Sequence, residues 1–108
     1  MGIEKDITLP NPTYYSEAFI NAVHANKAVI LKSSGTTTQA VDIHDAGKYH
    51  GDLYGYLRAR NVEIHLYPAI LVINNLNSQQ EFSEHVKVLS IPDSNTLYAI
   101  AEQINLSA

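Results

Sequence analysis

Residues 62–75 read Val-Glu-Ile-His-Leu-Tyr-Pro-Ala-Ile-Leu-Val-Ile-Asn-Asn, and no other stretch limits the fold as strongly. Val62, Ile64 and Leu66 alternate with Glu63, His65 and Tyr67, the pattern of a half-buried strand. After Pro68 the alternation stops, and residues 69–73 are apolar on both faces. A strand of that kind needs cover above and below, so it is expected at the centre of a sheet. Pro68 donates no ladder hydrogen bond, which puts a bend or bulge between the two halves. Ile70 and Val72 are then core residues.

Short elements flank this stretch on both sides. Residues 3–9 read as a short edge strand ended by Pro10. A helix over residues 12–25 follows, capped by Asn11 or Thr13, with Tyr15, Phe19, Ala22 and Val23 on one face. Asn26 suits a left-handed stop, and His24 lies in the last turn, where the helix dipole favours positive charge. Residues 28–32 predict a strand and Ser33-Ser34-Gly35-Thr36 a turn. Residues 37–43 then return antiparallel to 28–32 as a β-hairpin. A phosphate-cradling loop ahead of a helix would need a lysine after Gly35 and better helix formers than Thr36, Thr37 and Thr38.

Residues 45–60 hold the second helical segment, with Tyr49, Leu53, Tyr56 and Leu57 on its apolar face. Gly47, Gly51 and Gly55 recur every fourth residue and weaken any helix that contains them all. A helix starting after an Asp52 cap, with residues 45–51 left as loop, is therefore favoured, and Asn61 ends it. Ser78 and Glu81 have capping-box spacing and predict a helical turn or two. Residues 86–91 alternate as a strand stopped by Pro92. Asp93 or Ser94 caps a last helix with a Leu97, Ile100, Ala101 and Ile104 stripe. The sum is one domain over residues 1–108 of the α/β (α+β) class, a small mixed sheet with two to four helices packed on it.

Composition narrows the partners. At 108 residues the chain suits one core and not two, and 45% hydrophobic with 17% charged residues describes a globular domain. A formal net charge of -4 with seven scattered basic residues offers no nucleic-acid face. Without cysteine there is no disulfide, thiolate metal site or thiol nucleophile. The apolar runs are far too short to span a membrane, and residues 1–12 include Glu4, Lys5 and Asp6 instead of a signal peptide's apolar core. Neither membrane nor nucleic acid is expected as a partner. Synthesis in the cytoplasm or carriage in a virion fits these properties.

From Tyr67-Pro68 onward the chain runs through a proline, the apolar residues 69–73 with Asn74-Asn75, a polar connection, residues 86–91 and an amphipathic stretch to Ile104. That order resembles the C-terminal half of a thioredoxin-like domain, over residues 67–104 and without a Cys-x-x-Cys motif. The resemblance implies a thioredoxin-like fold, a cis bond before Pro68 and no redox activity.

Histidine is the only catalytic residue type present in number, as His24, His44, His50, His65 and His85. His44-Asp45 with His50 and Asp52 forms the densest group of imidazoles and carboxylates. Its spacing fits neither one helix face nor one strand face, and no His-x-x-x-His or Glu-x-x-His pair occurs. A small metal-dependent hydrolase on this segment is therefore a third-ranked reading. Gly-x-Ser-x-Gly is absent, and Asp42, Asp45, Asp52 and Glu63 offer no pair that stands apart for glycoside chemistry. No catalytic, metal or cofactor residue is assigned, and no enzymatic activity is expected.

Seven tyrosines stand against two phenylalanines and no tryptophan. Tyrosine joins an apolar ring to a wet hydroxyl, which suits protein interfaces. Tyr54 and Tyr56 are about 200° apart on a helix, so one should face away from the core. His65 and Tyr67 share the polar face of the expected strand. Tyr54, Tyr56, His65 and Tyr67 are accordingly the candidate interface residues. The leading reading is a non-catalytic structural or interaction subunit acting through protein contacts in a homo-oligomer or multi-component assembly, such as a virion or phage tail. A cysteine-less thioredoxin-like adaptor is the alternative.

Overall fold

The computed structural model of the chain describes residues 16–107, with the side chains of residues 16–104. The expected strand over residues 3–9 and the caps at Asn11 and Thr13 lie outside the described residues. Within them are six α-helices and two strands. The helices are α1 (Glu17–Ala25), α2 (Lys27–Lys32), α3 (Ile43–Lys48), α4 (Leu53–Ala59), α5 (Tyr67–Ile73) and α6 (Ser94–Ser107). The strands, β1 (Thr37–Ala40) and β2 (Val88–Ile91), form one antiparallel ribbon. The class is α+β. The sheet is smaller than a mixed sheet of several strands, because helices occupy two of the stretches expected to be strands.

The first of those stretches is residues 62–75. It is central, but it is not a strand: a 3-10 turn over Ile64–Leu66 leads straight into α5. Pro68 sits in the first helical turn, where its missing N–H costs nothing, and the described residues contain no cis peptide bond. Tyr67, Pro68, Ala69, Ile70, Val72 and Ile73 are all buried, as expected of a helix that is apolar on every side. Ile70 and Val72 are core residues, as the sequence predicts. A short apolar run has no period to read, so strand and helix look alike there. Both ends of the segment carry a helix stop that does discriminate. Asn61 and Asn75 are left-handed, at φ 63° and 61°. Val62 N–H reaches the Leu57 carbonyl at 3.0 Å and Leu76 N–H the Leu71 carbonyl at 2.8 Å, closing two Schellman-type terminations.

The second stretch is residues 28–32. Ser16 caps α1 by accepting the Phe19 N–H at 3.1 Å, and Phe19 and Val23 are fully buried. Asn26 ends α1 at φ -105°, not in the left-handed region. Its carbonyl accepts the Ile30 N–H at 2.9 Å, so the helix restarts as α2. Only Ile30 of α2 is buried, while Val29 is 65% exposed. The turn at residues 33–36 forms, with Thr36 N–H on the Ser33 carbonyl at 3.1 Å, but it joins a helix to a strand. A Cβ on Gly35 would lie 2.5 Å from Asp93 Cγ, so the turn has no room for a side chain.

The Asp52 cap forms as expected, but residues 45–51 are not simply a loop: Asp42 caps a separate helix, α3, that runs through Lys48. Asp52 accepts the Gly55 N–H at 3.0 Å to start α4, and Asp42 caps α3 by accepting the His44 N–H at 3.2 Å. Between them Gly51 takes φ +75° and donates its N–H to the Phe82 carbonyl at 2.7 Å. A Cβ would be strained there.

β1 pairs with β2 in the register Thr37–Ile91, Thr38–Ser90, Gln39–Leu89 and Ala40–Val88. Leu89 and Ile91 face the core. α6 packs on α1 through buried Leu97 and Ala101, with Ile100 and Ile104 half-buried, which is the expected stripe. Ser78 caps a 3-10 turn over Gln79–Glu81 that leads to fully buried Phe82. No helix among the described residues is long and apolar enough to cross a membrane.

Candidate functional site

The four residues expected at an interface do not share a surface. Tyr56 and Tyr67 are core side chains, 1% and 3% exposed. Tyr56 lies edge-on to Tyr49 at 6.0 Å and against Phe82 at 5.1 Å, with the Arg60 guanidinium 5.5 Å from its ring. Tyr54 is half-buried, its ring 5.1 Å from that of Tyr67. The divergence of Tyr54 and Tyr56 around α4 is real. Tyr56 is covered by the segment carrying Phe82, and Tyr54 is partly covered by Tyr67 of α5. The Tyr56 and Tyr67 rings are therefore out of a partner's reach while α4 and α5 stay packed. His65 is half-buried and reaches the Glu63 carboxylate and the Ser94 hydroxyl, each at 3.4 Å.

Burial pushes the Tyr56 phenol above its ordinary pKa, Arg60 opposes this, and Asp45 and Asp42 add to it. The Tyr56 hydroxyl is buried and has no hydrogen-bond partner among the described residues. Desolvation likewise raises Tyr54 and Tyr67.

The histidine segment is spread out. His44 is exposed on the first turn of α3, and Asp52 is engaged as a helix cap. His50 meets the Glu84 carboxylate at 3.1 Å on the surface. That carboxyl is held below its usual value, first by a backbone hydrogen bond and then by His50. Among the described residues no three of His, Asp and Glu converge as metal ligands would.

A groove of about 460 Å³ runs between α1 and α5, lined by Ile20, His24, Lys27, Pro68 and Leu71 among others. The Lys27 ammonium closes one side by donating to Asn75 Oδ1. Among the described residues the groove's lining has no carboxylate to pair with His24 for proton transfer.

The ribbon presents a different kind of surface. Val41 N–H donates to the Lys87 carbonyl at 2.9 Å, which fixes the phase of the ladder. In an antiparallel ladder every second residue turns its N–H and C=O away from the partner strand. On β2 those residues are Val88 and Ser90, and on β1 they are Thr38 and Ala40. Ser90 is satisfied by a side chain that takes the place of a strand. Its N–H donates to Asn74 Oδ1 at 2.8 Å, and its carbonyl accepts from Asn74 Nδ2 at 2.9 Å. Asn74 Nδ2 also donates to the Ile70 carbonyl at 2.7 Å, anchoring the seal to α5. Among the described residues nothing equivalent lies along β1. Among the described residues no donor or acceptor pairs with the outward N–H and C=O groups of Thr38 and Ala40, and both residues are exposed.

This edge escapes sequence reasoning because a hairpin with residues 28–32 misassigns the strand's neighbour. The readable signal was composition: residues 33–41 carry no charge, and Thr37-Thr38-Gln39-Ala40 lacks the lysine or proline that usually blunts an edge. Comparison of the chain with protein-family models, curated proteins and solved structures finds no match.

Proposed function

We propose that the chain is a structural or interaction subunit that joins a larger protein assembly by strand addition at the open edge of β1. The observation carrying this reading is the contrast between the two edges of one ribbon. Ser90 is sealed by Asn74, whereas the two donors and two acceptors of Thr38 and Ala40 meet no partner among the described residues. A bare edge is a template for another strand, and backbone hydrogen bonds supply the affinity in such contacts. The exposed apolar side chains of Val88 on β2, 50% exposed, and of Ile43, three residues beyond Ala40 and 58% exposed, add area for a partner beside it.

Thr38→Pro removes one outward N–H and no hydrogen bond of the β1–β2 ladder, so it separates assembly from folding. The wild-type chain, purified or in extracts of its native source, should run by size exclusion with light scattering above its 11.9 kDa monomer mass. The Thr38→Pro chain should run as a folded monomer. A wild-type chain monomeric in both settings overturns the reading.

A further inference from the structure

Resting on that reading, we infer that the strand added to β1 is β1 of a second copy, in one register: a two-fold axis through Gln39, Thr38 opposite Ala40 of the other copy, and Gln39 opposite itself. The result is a four-stranded sheet in the order β2-β1-β1-β2.

The register follows from which groups are free. Outward residues lie at 36, 38, 40 and 42 by the ladder's alternation. At the ends of that series Thr36 N–H is engaged with the Ser33 carbonyl, and the Asp42 carbonyl accepts the Ala46 N–H at 2.9 Å. Of these four, Thr38 and Ala40 keep both groups without a partner among the described residues. Two antiparallel copies satisfy all of these groups only when 38 faces 40 and 40 faces 38, which forms four hydrogen bonds. A shift by one residue points bonded groups at side chains, and a shift by two leaves half of the open groups unmatched.

Three features favour a second copy over a foreign strand. A specific foreign strand is recognised by charges or pockets for alternate side chains, and residues 33–41 hold no charge. The same neutrality lets two chains of net charge -4 approach at this edge without like charges face to face. Gln39 shares the core-side face of the ribbon with Leu89 and is half-buried, so on the axis two amides meet, each able to donate and accept. The Asn74 seal also bears on the stoichiometry. With Ser90 occupied, β2 retains only Val88 as an open rung, so pairing through β1 closes as a dimer and does not extend into a fibre.

The chain has no cysteine, so one introduced thiol reports the axis without background. Facing residues of a non-hydrogen-bonded pair have Cα atoms about 4.5 Å apart, close enough for a disulfide. The two Thr37 Cα atoms would lie about 14 Å apart in this register, beyond any disulfide. The experiment is oxidative crosslinking of the full-length Gln39→Cys and Thr37→Cys chains, followed on non-reducing gels across a protein concentration series. Gln39→Cys should give covalent dimer at least tenfold faster than Thr37→Cys, although Thr37 is the more exposed site. The dimer yield should fall at least tenfold when Thr38→Pro is added. It should fall similarly with Thr38→Lys plus Ala40→Lys, two exposed changes that keep every N–H but set like charges across the axis. Circular dichroism melts identify any variant lost to unfolding, and the lysine pair then decides. Equal crosslinking at both sites, or none at Gln39→Cys, overturns the homotypic pairing. In either case strand addition itself survives only if Thr38→Pro still releases the chain from its complex in native extract.

Discussion

Helix α5 runs against the local preference of its residues and strand β1 runs with it, and the two lie at opposite ends of the burial scale. Residues 69–73, Ala-Ile-Leu-Val-Ile, hold three β-branched side chains, yet they are a helix enclosed by α1, α2 and β2. Residues 37–40 are three-quarters polar, and they form the strand that stands at the surface. In α5 the apolar surface is what matters: a helix apolar on all sides can be surrounded, and burial outweighs the few tenths of a kcal/mol per residue that propensity opposes. In β1 the backbone carries the structure, because four short side chains add little burial and the ladder to β2 provides the hold. Side chains hold the first region and main chain the second, so the two should fail in different ways.

The sharpest way to break that distinction is Ile70→Ala at the fully buried centre of α5. It should cost about 2–5 kcal/mol in urea unfolding. A loss below about 1 kcal/mol would show that α5 is not the centre of the core.

Asn74→Ala comes next, because Asn74 is where the two regions meet. It removes three hydrogen bonds and leaves Ser90 N–H and C=O without partners, for an expected loss of about 1–3 kcal/mol. It also opens the second edge, so sedimentation velocity should show species larger than a dimer. Unchanged stability and unchanged mass together would mean that solvent serves Ser90 as well as Asn74 does.

The smallest effect is expected from Tyr56→Phe. It deletes a buried hydroxyl that has no partner among the described residues while keeping the ring contacts with Tyr49 and Phe82. Thermal melting should show no loss, and a gain of up to about 1 kcal/mol. A loss greater than that would place a hydrogen-bonded water on the phenol.

Much of this fold can be read in the sequence wherever a polar side chain does local work. Asp52 announces its own cap, Ser78 and Glu81 mark their turn, and the Leu97 to Ile104 stripe shows the buried face of α6. What could not be read were the apolar runs without a period, residues 28–32 and 69–73. There only the flanking residues decide between helix and strand. Pro68 and Asn75 in fact mark a helix start and a helix stop, but a proline beside an alternating stretch reads equally well as a strand bulge. The tyrosine argument had the right geometry and lacked the second layer: of two residues about 200° apart on α4, Tyr56 is buried against Phe82 while Tyr54 is half-buried beside Tyr67 of α5. The β1 edge depended on pairing between distant segments, which no local pattern encodes.

That distance has a consequence in time. Thr37 meets Ile91 across roughly fifty residues of chain, which a ribosome adds in roughly 3–10 s. Throughout that interval the newly made segment 37–40 has two bare sides and no β2 to take either. Its threonines and glutamine are hydrophilic enough to wait in water. A more apolar version, with valine at 38 and 39, would fold into the same ribbon once complete and yet be the variant most prone to clump on the way.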